Sequence, residues 1–132
     1  MRNTARMRYT RDHQWLFRKG KTVLLGITDY GQQWLSDVIN VELPEPDEHH
    51  HYEAGDDICV VESLKTAHDC RTPIAGHIVS INTHLLSNPE SINADPYGEG
   101  WIVEMQPDDM SDIDELMSLD EYEALVPDEE EE

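Results

Sequence analysis

Short apolar runs, each closed by turn-forming residues, punctuate this chain. Val23-Leu24-Leu25-Gly26-Ile27 predicts a short buried strand. Thr28-Asp29 offers a helix N-cap, and Tyr30 to Leu35 predicts a short helix behind it. Val38 to Leu43 is rich in β-branched residues and reads as a strand stopped by Pro44 and Pro46. Asp57 to Val61 and Ala67 to Thr72 read as two strands meeting at a tight turn. Pro73 to Gly76 predicts another turn, and His77 to Asn82 alternates polar and apolar positions as a half-buried strand does. Leu85 and Leu86 are expected to cover one end of the sheets in a short helical or irregular segment broken at Asn88-Pro89. The turn Asp95 to Gly100 should reverse the chain so that Trp101 enters the core, with Trp101 to Met105 as a strand.

Beyond Pro107 the pattern changes. Ser111 to Met117 and Leu119 to Leu125 predict two short helices, with Ser111 as candidate N-cap of the first. Leu116, Met117, Leu119, Tyr122 and Leu125 are expected to pack on the sheets. Pro127 should stop the second helix, leaving residues 127–132 as a disordered acidic tail. The architecture is therefore mainly β, a flattened barrel or sandwich of short strands with short appended helices.

The 132 residues suffice for one domain with a modest core. Residues 1–7 read as a flexible basic N-terminus and 8–126 as the folded unit. No apolar run reaches the length of a membrane span, and the N-terminus lacks a signal-peptide apolar stretch. A soluble, cytoplasmic, membrane-free protein is expected. The net charge of −20 is unevenly spread. Seven of the nine Lys and Arg lie in the first 21 residues against one acid, Asp12, so that stretch carries +6 and the remainder about −26. Such a surface repels nucleic acid and suits basic docking faces on partner proteins.

Little of the chain has the makings of a catalyst. It holds no defensible Ser/His/Asp order, no Cys/His zinc spacing and no phosphate loop. His49-His50-His51 reads as a solvated loop rather than a metal site, because adjacent side chains diverge. No metal ligands and no catalytic residues are assigned. Lys65 is different. It is one of two basic residues after position 21, the other being Arg71. It stands between Gly55 and Gly76 at the centre of the predicted hairpin, where an amine would be presented clear of the sheets.

The residues around it resemble a known family. Val60-Val61-Glu62-Ser63-Leu64-Lys65 looks like the lipoyl-attachment hairpin of glycine cleavage system H proteins. Arg8 to Trp15 is similar to the family's opening strand, Gly26 to Tyr30 to its first helix entry, and Val41-Glu42-Leu43-Pro44 follows at the family's spacing. Asp69, Pro73 and Gly76 also match, and Asp95 to Trp101 is the strongest single likeness. Residues 8–126 are covered. The resemblance implies a barrel-sandwich hybrid of the lipoyl/biotinyl-carrier type and lipoate in amide linkage to Lys65. Biotin is disfavoured, because Leu64 and Thr66 flank the lysine where biotin domains usually have methionines. The chain would be a non-catalytic carrier, modified by a lipoate ligase or lipoyl transferase. Glu62, Ser63, Leu64 and Asp69 are the candidate recognition residues of the hairpin.

Several positions depart from the family pattern. His13-Gln14-Trp15 stands where His-Glu-Trp is common, so an acid is replaced by an amide. Ser36 replaces a usual Gly, Asn40 a usual aromatic, His68 a small residue and Cys70 an apolar one. Cys59 and Cys70 should face each other if Leu64-Lys65 form the turn, and they read as buried core residues or as thiols able to exchange with a dithiolane. His13, Gln14, Cys59 and Cys70 are candidate arm contacts. The departures favour a sulfur-loaded arm, as in the lipoate-binding proteins that serve bacterial sulfur oxidation with a heterodisulfide-reductase-like complex. The alternative is an authentic glycine cleavage H protein, passing an aminomethyl group among glycine decarboxylase, aminomethyltransferase and dihydrolipoyl dehydrogenase. A lipoate-free acidic interaction module is the alternative of another class. A monomer is expected.

Overall fold

The computed structural model describes residues 3–47 and 49–126. The acidic tail from position 127, with Pro127, lies outside the described residues. The chain forms two antiparallel sheets. The larger has the order β1 (Arg8–Tyr9), β2 (Gln14–Lys19), β3 (Thr22–Ile27), β8 (Val103–Pro107) and β7 (Gly76–Ile81). The smaller has the order β4 (Val38–Glu42), β5 (Asp57–Ser63) and β6 (Ala67–Arg71). Short helices fill the connections: α1 (Asp29–Leu35), α2 (His84–Ser87), α3 (Ser91–Ala94) and α4 (Leu119–Leu125). The sheets are not closed into a continuous barrel, and the mainly β barrel-sandwich hybrid is the fold observed. Among the described residues no helix is long and apolar enough to cross a membrane.

Leu16, Val23 and Leu25 of the larger sheet meet Val38, Val41, Val61, Cys59 and Cys70 of the smaller in one core. A second cluster lies on the other face of the larger sheet, where Met7, Tyr9, Trp15 and Leu24 are covered by Tyr122 of α4. This explains why Val23 to Ile27 is an unbroken apolar run. The strand is buried on both faces, so alternation has nothing to report. Fully burying each such side chain stabilises the fold by about 1.5–3 kcal/mol.

The helix ends follow local chemistry. The Thr28 hydroxyl accepts from the Gly31 amide and caps α1 as its sequence position suggests. Ser118 and Glu121 form a capping box at α4. Ser111 is not a cap. Asp109 takes that role for a 3₁₀ turn at Met110–Glu115, accepting from both the amide and the hydroxyl of Ser111. Those hydrogen bonds hold the Asp109 carboxyl below its ordinary range.

Other expectations are revised. Residues 3–7 are not a free lead-in: Thr4–Arg6 forms a 3₁₀ turn capped by Asn3, and Met7 is buried. Leu86 and Leu125 are exposed, since each shares a short helix with a residue that takes the inward face, Leu85 and Tyr122. Trp101 is only half-buried and precedes β8, while Ile102 fills the core. The opening segment is not one strand. Thr10 to His13 turns back between β1 and β2, and His13 sits at φ 66°.

Candidate functional site

The β5–β6 hairpin projects Lys65. Its register runs Glu62↔Ala67, Val61↔His68, Val60↔Asp69 and Cys59↔Cys70, which leaves Leu64 and Lys65 at the tip. Ser63 fastens the turn from within. Its buried hydroxyl accepts from the amides of Lys65 at 3.1 Å and Thr66 at 3.0 Å, and its own amide donates to the Thr66 carbonyl at 2.8 Å. A second tie comes from the neighbouring element: the Leu64 amide donates to the Asp37 carbonyl at 3.0 Å. Leu64 and Lys65 are therefore exposed side chains on a held backbone. The Lys65 ammonium donates to the Trp34 carbonyl at 3.3 Å and lies 5.3 Å from the centre of the Trp34 indole ring.

Trp34 also borders a cavity of about 270 Å³ beside the hairpin. Helix α1 contributes Tyr30, Gly31, Trp34 and Leu35 to its lining. Arg11, Asp12 and His13 enter from the turn before β2, and His68 from β6. The indole meets the His68 ring edge-on at 6.4 Å. His13 is the most tightly held of these groups. Its Nδ1 is 2.8 Å from the Tyr122 hydroxyl, which is 2.8 Å from the Thr28 hydroxyl. Its ring packs on Tyr30 at 4.7 Å. Burial pushes its pKa below the ordinary imidazole value, with His68 acting in the same sense and Asp12 against it. The cavity thus combines imidazoles, aromatic walls and one charge of each sign, the Arg11 guanidinium and the Asp12 carboxylate.

The structure brings some of the sequence-predicted site residues together and sets others apart. Lys65, Leu64 and Ser63 form the tip, with Ser63 turned inward as its lock. The Glu62 carboxylate accepts from the Asn40 side chain at 2.6 Å, so the residue in the family's aromatic position braces this acid. Asp69 is exposed beside Val60 on the hairpin. His13 lines the cavity, but Gln14 does not. Gln14 is 1% exposed, and its amide group donates to the Arg71 carbonyl at 2.7 Å and accepts from the Arg71 amide at 3.2 Å. It joins β2 to the end of β6, as a strand neighbour would. Cys59 and Cys70 are buried in the main core and directly paired, as the two-residue turn requires. They line no part of the cavity.

Sequence reasoning missed Trp34, Asp12 and Tyr122. Asp12 reaches the cavity through a turn with His13 at φ 66°, and nothing in Thr10 to His13 advertises that turn. The three adjacent histidines lie in an exposed loop, as expected, and the loop is held by side-chain contacts. His51 is held by Asp108 at 2.5 Å and Glu53 at 3.4 Å, and His50 packs on Tyr52. No group of side chains able to hold a metal occurs among the described residues.

A family model described as glycine cleavage H-protein matches residues 7–129. The chain belongs to the glycine cleavage H-protein family. It is 49% identical over 118 residues to the glycine cleavage system H protein of Thermus thermophilus, covering 89% of this chain and 91% of that one. It is 41% identical over 124 residues to the glycine cleavage system H protein of Acinetobacter baumannii, covering 94% and 98% respectively. The crystal structure of a glycine cleavage system H protein from Mycobacterium marinum superposes with a TM-score of 0.79 at 34% identity, over 91% of this chain and 95% of that one. H proteins carry lipoate covalently on a lysine and are non-catalytic carriers, and this chain is one of them.

Proposed function

We propose that Lys65 is the lipoylated residue and that the loaded arm works in glycine cleavage. The observation that carries this reading is the lysine itself. Its amine stands at an exposed, hydrogen-bonded tip, next to a cavity into which a tethered group can fold. The residues fit the group. A primary amine held by a carbonyl and an indole face can form an amide, and Trp34 and His68 offer an apolar border for a long chain. Lipoate in that linkage supplies a redox-active dithiolane at the end of a flexible arm. The protein's own part is to present, shelter and release it, and tethering raises the local concentration of the load at each partner.

The load is best read as the cationic aminomethyl group. Gln14 spoke for a sulfur load at the level of sequence, because it removes an acid from the opening motif. That acid is not needed where Gln14 lies, since the side chain is committed to Arg71. Asp12 offers the carboxylate instead, from within the cavity lining. The relatives named above are glycine cleavage H proteins, and neither they nor the geometry supports the sulfur-oxidation reading or its heterodisulfide-reductase-like partner. A cytoplasmic monomer serving glycine decarboxylase, aminomethyltransferase and dihydrolipoyl dehydrogenase follows, with a lipoate ligase or lipoyl transferase acting first. Glu62, Leu64 and Asp69 are the surface this modifying enzyme would read.

Two measurements test the reading. Intact mass of the protein from its host should carry a lipoyl increment that Lys65→Arg abolishes. The lipoylated protein should then support glycine decarboxylation with the three partner enzymes, and Asp12→Asn should slow it. Efficient modification without any such turnover overturns the pathway while leaving the carrier intact. No modification under lipoate-replete growth overturns both.

A further inference from the structure

Cys59 and Cys70 have no part in the function above, yet they occupy a special position. They are directly opposite each other on β5 and β6, six and five residues from Lys65 on the two arms of the same hairpin. Both are free thiols. Both side chains are buried in the same core, on the same face of the hairpin. Directly opposed residues of an antiparallel pair have Cα atoms about 4.5–5.5 Å apart, within the range of about 4.4–6.8 Å that a disulfide spans. The ladder shifts register between Asp57 and Cys59, and β6 is an edge strand of its sheet. The strand pair can therefore open locally at lower cost than the larger sheet.

We propose that Cys59 and Cys70 form a cross-strand disulfide on oxidation by a hydroperoxide, closing the base of the Lys65 hairpin. One thiolate attacks the peroxide oxygen, the O–O bond breaks, and a sulfenic acid forms as water leaves. The second sulfur attacks the sulfenic sulfur and expels a second water. Two thiols and one hydrogen peroxide give one disulfide and two waters, and the peroxide is the species reduced. The pairing decides the product: with the two side chains directly opposed and buried, the sulfenic acid meets the partner thiol before further oxidant can reach it. Burial sets the rate. The thiols are sealed in the core and the Cys59 pKa is pushed up, by the neighbouring Cys70 thiol first and by desolvation second. Attack must wait for the hairpin to open, so the device is slow and responds to sustained oxidation.

The experiment treats the folded, full-length protein with hydrogen peroxide and follows intact mass and peptide maps. The expected result is loss of two hydrogens, recovery of a Cys59–Cys70 linked peptide, and reversal by dithiothreitol. The bridged form should melt at a higher temperature than the reduced one, and a little urea, short of unfolding, should speed its formation. Addition of oxygen atoms to either cysteine without the link, links between molecules only, or thiols that stay reduced until the protein is unfolded would each overturn the proposal. The test needs no variant, so a poorly folding Cys70→Ser does not obscure it.

Discussion

The Lys65 ammonium is paired with a carbonyl and an indole face, both belonging to Trp34, which stands on the rim of the cavity. The next turn of chain is where the fold is strained. Ser36 ends α1 at φ 70° and ψ −155°, a region that favours glycine. Asn93 holds it there, donating to the Ser36 carbonyl and accepting from the Val38 amide. Ser36→Gly should therefore stabilise the protein by about 1 kcal/mol, read as a rise in the urea midpoint at unchanged slope. The histidines give a second residue-scale prediction. His13 has a lowered pKa, from burial first, so it contributes stability above its unfolded value of 6.5 that is lost as pH falls through the folded value. His51 is the reverse. Its hydrogen bond to Asp108 raises its pKa, so its contribution is present below 6.5 and disappears as pH rises through the folded value. An NMR titration of the ring protons should find His13 titrating below the ordinary value and His51 above it.

At the level of elements, Gln14 ties the two sheets where no backbone strand does. It needs a donor for the Arg71 carbonyl and an acceptor for the Arg71 amide, and the amide side chain supplies both where an ionised carboxylate supplies only the second. Gln14→Glu, the family's commoner residue, should cost about 1–3 kcal/mol here, because a buried carboxylate would face a carbonyl. Acid should restore part of the loss by protonating it. Chemical denaturation at pH 7 and pH 4.5, with wild type as reference, measures this. The contrast marks what was legible beforehand. The hairpin and its cysteine pairing could be read because a two-residue turn fixes the partners down the ladder as far as Cys59 and Cys70. The capping of α1 could be read because Thr28 precedes the helical run. The role of Gln14 could not, since its partner is 57 residues away and set by how two sheets stack. Asp12 was obscured because a four-residue turn without glycine or proline carries it to the cavity, beside the His13 already named as a candidate contact. Leu86 and Leu125 failed in the opposite direction, as apolar residues on helices too short to bury more than one side.

Over the whole molecule, polar groups of the second cluster resist ionisation together. Burial is the first cause of the raised pKa at Tyr9, Tyr97 and Tyr122, the last pushed up to about 12. A tyrosine held protonated in the fold contributes stability below its unfolded value of 10.0 that is lost as pH rises toward the folded one. The protein should keep its stability up to about pH 10 and lose it steeply above, with the phenolate absorbance appearing together with unfolding. Tyr122→Phe removes the bond to His13 and should move that ring's titration while leaving Lys65 modifiable. Charge acts over a longer range. A net −20 on 132 residues repels itself, and the seven cations of the first 21 residues leave the rest of the chain more negative still. Lys65 is thus presented in an acidic field, on a hairpin that also carries Glu62 and Asp69 and whose tip is tied to Asp37. Partners with basic faces should be drawn to it faster than diffusion alone allows, and salt should cancel the gain. Association rates measured from 20 mM to 500 mM salt should fall by about ten-fold or more, with dissociation rates nearly constant. Equal rates across that range would mean that partners recognise the tip by shape and that the acidity serves the solubility of the protein alone.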